Sequence, residues 1–274
     1  MSIPQNKTWL RYLGPGFIVA ATGVGAGDLI AASVAGARYG TVIVWAVVLG
    51  GLLKFVLNEG IARWQLVTGE TLLQGWIKHL PKWVSYYFLI YLMLWSFVVA
   101  GALISFCGLA AQTLLPIHEN ESTGTLIWGA LQSGLAVLLV LGGSYQLLER
   151  LMKLFIGLMF AVVISSAWGL APDWGDIGMA LLYPRLPNDP KAVMLTLGLI
   201  GGVGGSVTLL SYAYRISEKG WSQAGFMKHA RIDLGIAYTL SSLFGVALVI
   251  IAAGVSPEQV NGYGMILSLA EQLG

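Results

Sequence analysis

Two stretches, Gly23-Val24-Gly25-Ala26-Gly27-Asp28 and Gly201-Gly202-Val203-Gly204-Gly205-Ser206, decide how this chain is read. Each lies near the middle of a long apolar run, the first near 15–38 and the second near 192–214. A glycine in a helix interior costs roughly 1 kcal/mol relative to alanine, so three or four close together predict a local break. Paired glycine-interrupted helices in two halves of a membrane protein point to a solute site at the bilayer midplane, built from unwound carbonyls and half-helix ends. Close helix packing through small residues is the competing account, but it leaves an acid in the first cluster unexplained. A carboxylate at mid-bilayer costs about 3 kcal/mol or more and marks an ion pathway or a buried pair. Asp28 is therefore the first candidate ligand, with the carbonyls of Val24 and Gly25 beside it as oxygen donors for a hard cation or a protonated amine. Gly204, Ser206 and Thr208 are the matching candidates in the second break. Lys54, in the middle of the next apolar run, is the alternative partner of Asp28. A Lys54–Asp28 pair would neutralise both charges, and the free and paired readings are both open.

Outward from these clusters, the rest of the chain is that of a membrane protein. Of the 274 residues 57% are hydrophobic and only 10% charged, where soluble domains carry about 25% charged residues. The mean hydropathy is +0.77. The 36 glycines and 10 tryptophans suit membrane helices, in which small residues permit close approach and Trp sits at the interface. A crossing needs about 20 apolar residues. Seven stretches qualify, near 15–38, 41–66, 83–113, 124–143, 146–170, 192–214 and 232–254. All must be helices, because lipid satisfies no open strand edge. Positive charge divides eleven to three between the two sets of ends and loops, with Lys7, Arg11, Arg150, Lys153, Arg215 and Lys228 on the rich side and Arg38, Arg185 and Lys191 on the poor one. That bias predicts a cytoplasmic N-terminus. Residues 255–274 read as an external loop with a short helix from Met265 to Leu273. The opening residues carry no signal-peptide pattern.

The remaining polar residues are weaker candidates. Glu59 and Arg63, spaced i, i+4, read as a helix-surface pair. His79 and His118 read as loop residues and His229 belongs to the basic 215–231 loop, too scattered for a metal cluster. Cys107 is alone, which excludes a disulfide framework. No glycine cluster is followed by Lys-Ser/Thr, so no nucleotide site is expected. No nucleophile and base stand together, so the chain is not read as an enzyme. The expected partners are the lipid bilayer and a small solute, with no nucleic acid and no resident cofactor.

The stretch Gly14-Pro15-Gly16-Phe17, then Ala35-Gly36-Ala37-Arg38-Tyr39-Gly40, Trp45 and Thr68-Gly69-Glu70-Thr71-Leu72 resembles, without a gap from Gly14 to about Gly75, the opening of the Nramp family of proton-coupled divalent metal transporters. Gly198-Leu199-Ile200-Gly201 is similar to the start of that family's sixth span. The resemblance implies an all-α, leucine-transporter-like bundle of two inverted five-helix repeats working by alternating access. The first repeat would be 15–170 and the first two helices of the second 192–254, within one transmembrane domain, 1–274. The second repeat would stop there, about seven transmembrane helices into a fold of eleven or so, as in a truncated chain. Three departures bear on the solute. The family's Asp-Pro-Gly-Asn is Gly25-Ala26-Gly27-Asp28 here, its Met-Pro-His is Gly205-Ser206-Val207, and residues 83–113 lack the acids of its third span. With these departures the resemblance implies the fold and alternating access, but neither manganese or iron selectivity nor proton coupling; the expected cargo is a divalent cation of Mn, Fe or Mg type, with a small organic solute, or a receptor or scaffold that no longer transports, as the alternatives. A multi-pass protein of a prokaryotic inner membrane is the expected setting.

Overall fold

The computed structural model describes residues 26–142, 145–202, 208–221 and 223–254, and the side chains of all but 26–28, 145–149 and 208. Among them are ten α-helices: α1 Ala26–Tyr39, α2 Val44–Thr68, α3 Leu72–His79, α4 Lys82–Leu114, α5 Glu121–Gly142, α6 Tyr145–Gly169, α7 Trp174–Leu182, α8 Ala192–Gly202, α9 Thr208–Glu218 and α10 Met227–Ala253. No strand is present among the described residues.

The helix ends follow local chemistry. Gly40 takes φ +64° at the head of the 3-10 turn Gly40–Ile43 that separates α1 from α2, a left-handed conformation glycine adopts without a Cβ penalty. Gly69, at φ +73°, closes α2 by donating its N–H to the Gln65 carbonyl. Thr71 and Gln74 form a reciprocal capping box that starts α3. Asp173 accepts the N–H groups of Gly175 and Asp176 at 2.8 and 3.2 Å and starts α7.

The core is organised around α10, which packs on α1, α2 and α6. A buried cluster joins Ala32, Ala35, Val44 and Val47 to Phe160, Val163, Phe244 and Val249. Glycines set the closest approaches. A Cβ on Gly36 would lie 2.7 Å from the Val249 carbonyl oxygen, one on Gly51 would lie 2.0 Å from Ser242 Oγ, and one on Gly245 would lie 2.7 Å from Val47. With Val47 beside Gly245, Gly51 beside Ser242 and Asn58 beside Tyr238, α2 and α10 run antiparallel. The pair α4 and α5 closes the same way, a Cβ on Gly108 meeting the Thr125 carbonyl at 2.3 Å.

Among the described residues five helical stretches are long and apolar enough to cross a membrane, and Leu29–Thr68 contains residues 29–38 of the first expected span and all of the second. The third, fourth, fifth and seventh spans coincide with α4, α5, α6 and α10 within a few residues. The sixth is represented by α8 and α9, of 11 residues each, and residues 203–207 between them lie outside the described residues. The expected start of the first span, 15–25, and the expected external helix Met265 to Leu273 lie outside them as well. His79 is not in a loop: it is the last residue of α3, where a histidine favourably meets the helix carbonyl end.

Candidate functional site

Of the candidate ligands, Val24, Gly25, Gly204 and Ser206 lie outside the described residues. Asp28 stands in the first turn of α1 and Thr208 is the first residue of α9; their side chains are outside the description too. Lys54 is described fully. Its side chain is buried, 7% exposed, in the middle of α2. Asp28 stands twelve residues ahead of Gly40 and Lys54 eleven residues beyond Ile43. At 1.5 Å per residue both lie about 17 Å along their helices from the turn.

Lys54 begins a polar stripe that no reading of the sequence singled out. Lys54, Asn58 and Gln65 are all buried on α2, an i, i+4, i+11 spacing that keeps them near one face. Asn58 Nδ2 donates to the Tyr238 hydroxyl of α10. Gln65 Nε2 donates to the Ala213 carbonyl and to Ser217 Oγ of α9, each at 2.7 Å. The Tyr212 hydroxyl donates to Asp233 Oδ2 at 3.3 Å, joining α9 to α10. Asp233 and Tyr212 are essentially inaccessible. Each pairing gives a polar group a partner across a helix interface, which is how membrane bundles make polar residues tolerable, although Asn58 Oδ1 and Gln65 Oε1 are buried with no hydrogen-bond partner among the described residues. Tyr212, in the described part of the sixth span, thus bonds across to α10.

The expected Glu59–Arg63 pair is present, with Arg63 exposed and the carboxylate largely buried. Glu59 is 9% exposed, and Arg63 Nη2 donates to both its oxygens at 2.7 Å. Arg231 Nε, at the start of α10, donates to Glu59 Oε1 at 2.8 Å. One carboxylate therefore holds two guanidinium groups and ties α2 to α10.

At the opposite end, Asp189 Oδ2 accepts from Tyr39 Oη at 2.7 Å and from Arg38 Nε at 3.1 Å, and Asp189 Oδ1 accepts the Lys191 backbone N–H at 3.1 Å. The Lys191 N–H, the Tyr39 hydroxyl and the Arg38 charge hold the Asp189 carboxyl below the usual carboxylate range, against a smaller opposing effect of burial. Trp45 Nε1 donates to the Arg185 carbonyl at 3.1 Å. These contacts fix the segment entering α8 against the end of α1, so the two glycine-bearing elements are tied at one end.

An apolar cleft of about 720 Å3 lies between α2, α7 and α10, walled by Val48, Phe55, Trp174, Leu181 and Leu243. None of its lining side chains among the described residues is charged. Among the described residues no three His, Cys, Asp or Glu side chains gather as a metal cluster. Asp233 was missed in the sequence because it follows Arg231 at the edge of a basic loop; an acid inside an apolar run was the signal that could have found it.

A family model described as natural resistance-associated macrophage protein-like matches residues 16–274. The chain is 26% identical over 274 residues to a divalent metal cation transporter, MntH, of Yersinia pestis, covering 98% of this chain and 64% of that protein. It is 24% identical to the protein of the same name from Mesorhizobium japonicum, covering 92% of this chain and 57% of the relative. The fold is similar to the crystal structure of the Eremococcus coleocola manganese transporter in complex with an aromatic bis-isothiourea substituted compound. The TM-score is 0.80 at 18% identity, over 97% of this chain and 57% of the other. The chain thus spans about three fifths of the length of the relatives it matches.

Proposed function

Because the chain belongs to the natural resistance-associated macrophage protein-like family, Nramp, and is a multi-pass membrane protein, we propose that it carries a divalent metal cation by alternating access, with the N-terminus in the cytoplasm and in a prokaryotic inner membrane. The family match over residues 16–274 is the single observation that carries this reading. Relatives named as divalent metal cation transporters support the class of cargo.

The donor set proposed here is oxygen alone: the Asp28 carboxylate, the carbonyls of Val24, Gly25 and Gly204, and the hydroxyls of Ser206 and Thr208. Oxygen donors favour hard cations such as Mg2+, Ca2+ and Mn2+, while Fe2+ and softer ions lose the sulfur or imidazole they prefer. Lys54, at the same distance from the turn as Asp28, is the proposed countercharge of the empty site. A cation entering the site competes with the Lys54 ammonium for the carboxylate, so Lys54 tunes affinity downward. The helices 15–170 form the first five-helix repeat on this reading, and 192–254 the first two helices of the second.

The test is uptake of Mn2+, Mg2+ and Ca2+ into proteoliposomes by the full-length protein, with Asp28→Asn and Lys54→Ala beside the wild type. Saturable uptake that falls at least ten-fold in Asp28→Asn supports the reading, and uptake indifferent to that change contradicts it. The burial of Lys54 favours one second reading, a carrier of the same fold for an organic solute, in which Lys54 holds Asp28 and the glycine breaks receive the solute's carboxylate or amine. Lys54→Ala separates the two: it strengthens cation binding on the first reading, and on the second leaves it unchanged while an organic ligand is lost.

A further inference from the structure

The corner between α3 and α4 carries a second feature, distinct from the transport site. α3 folds back beside the end of α2 because Gly75 has no side chain, and a Cβ there would come 2.9 Å from the Trp64 ring. Trp76 of α3 meets Phe88 of α4 edge to face, with centroids 5.4 Å apart. Between the helices runs a groove of about 300 Å3, walled by Trp76, Ile77, Val84, Phe88, Leu89 and Leu92. It is open, with Ile77 68% and Leu89 48% exposed.

The net charge at this corner is positive. Glu70 is the single acid between Leu66 and His118, and Lys78 Nζ bonds it at 2.7 Å. Lys82, exposed in the first turn of α4 two residues ahead of the groove wall at Val84, pairs with no carboxylate among the described residues. His79 ends α3 three residues before Lys82 in the chain. Trp83, Tyr86 and Tyr87 are exposed around the same turn, as aromatic side chains are at the level of lipid headgroups. An apolar groove with a cationic rim at that level complements an acyl chain joined to an anionic head.

We propose that the α3–α4 groove binds one anionic phospholipid, an acyl chain lying along Ile77, Val84 and Leu89 and the phosphate meeting Lys82. Any membrane groove is wetted by lipid, so the specific content is the headgroup preference. One lysine near an anionic headgroup corresponds to about a five-fold preference.

Native mass spectrometry of the full chain, titrated with dioleoyl phosphatidylglycerol or dioleoyl phosphatidylcholine, tests it. The expected result is one retained phosphatidylglycerol with about a five-fold preference over phosphatidylcholine. Lys82→Gln should bring the two lipids to near parity. Val84→Trp, which fills the groove, should lower retention of both, while Lys191→Gln at the far end of the molecule leaves the wild-type pattern. Equal retention of the two lipids by the wild type overturns the proposal. So does a preference that survives both Lys82→Gln and Val84→Trp, or a wild type that retains neither lipid because another segment of protein covers the groove.

Discussion

Arg231 Nε stands 2.8 Å from Glu59 Oε1, closing a contact between residues 172 apart in the chain. With Arg63 on the same carboxylate it fixes the crossing of α2 and α10 at their shared end. Glu59→Gln leaves two guanidinium groups facing a neutral amide. Hydrogen bonds to charged groups contribute about 1.5–3 kcal/mol each when sheltered, and both arginines here are more than half exposed, which discounts them. The expected loss is about 2 kcal/mol in all, read as a lower thermal midpoint of the purified protein. Arg231→Lys should lose less than Arg231→Ala, since a point charge keeps part of the attraction.

Asn58 and Tyr238 make the buried hydrogen bond next along the same interface. Tyr238→Phe strands the Asn58 amide in an apolar setting and should cost about 2 kcal/mol. The double variant Asn58→Leu with Tyr238→Phe removes both partners and should recover part of that loss. Thermal unfolding of the four proteins of the cycle checks this, and simple additivity would mean that the pair contributes no coupling.

The glycines that set helix contacts are separable from those that do not. Gly36→Ala forces backbone movement against Val249 and should destabilise by about 1–3 kcal/mol, as overpacking does. Gly134→Ala, on α5, meets nothing within 4 Å and should be neutral or stabilising by up to about 1 kcal/mol. Melting curves of the two variants side by side distinguish a packed helix pair from a loose one.

The tie of Asp189 to Tyr39 and Arg38 carries a pH dependence with a defined sign. The folded carboxyl is held below its ordinary value of 3.8. Its contribution is therefore complete above that value, and is lost as pH falls through the lower folded value. Hydrogen exchange at the Lys191 amide should stay protected from neutral pH down past the ordinary carboxylate value and be released only as pH falls through the lower folded value. Asp189→Asn should remove the step. A step near neutral pH instead would assign the change to a different group.

Much of the fold was legible because hydropathy over about 20 residues is a strong signal and lipid allows no alternative to helices for such runs. The Gly14 to Gly75 stretch carried the family likeness, which the match over 16–274 bears out. The polar stripe was not legible. Asn58 and Tyr238 are 180 residues apart, and Gln65 and Ser217 are 152 apart; helical periodicity assigns a residue to a face without naming the helix it meets. Glu59 and Arg63 were visible as neighbours, but Arg231 was hidden in a loop whose charges read as topology. Asp28 and Lys54 drew notice for the opposite reason, since a lone charge in an apolar run is informative without any knowledge of its neighbours.

The most direct test of the account is calorimetric binding of Mn2+, Mg2+ and Ca2+ to the purified full-length protein, wild type beside Asp28→Asn. Saturable binding of at least one of these hard cations by the wild type, and its loss in Asp28→Asn, is the expected result. Undiminished binding by Asp28→Asn, or no binding by either protein, would contradict a cation site built on Asp28.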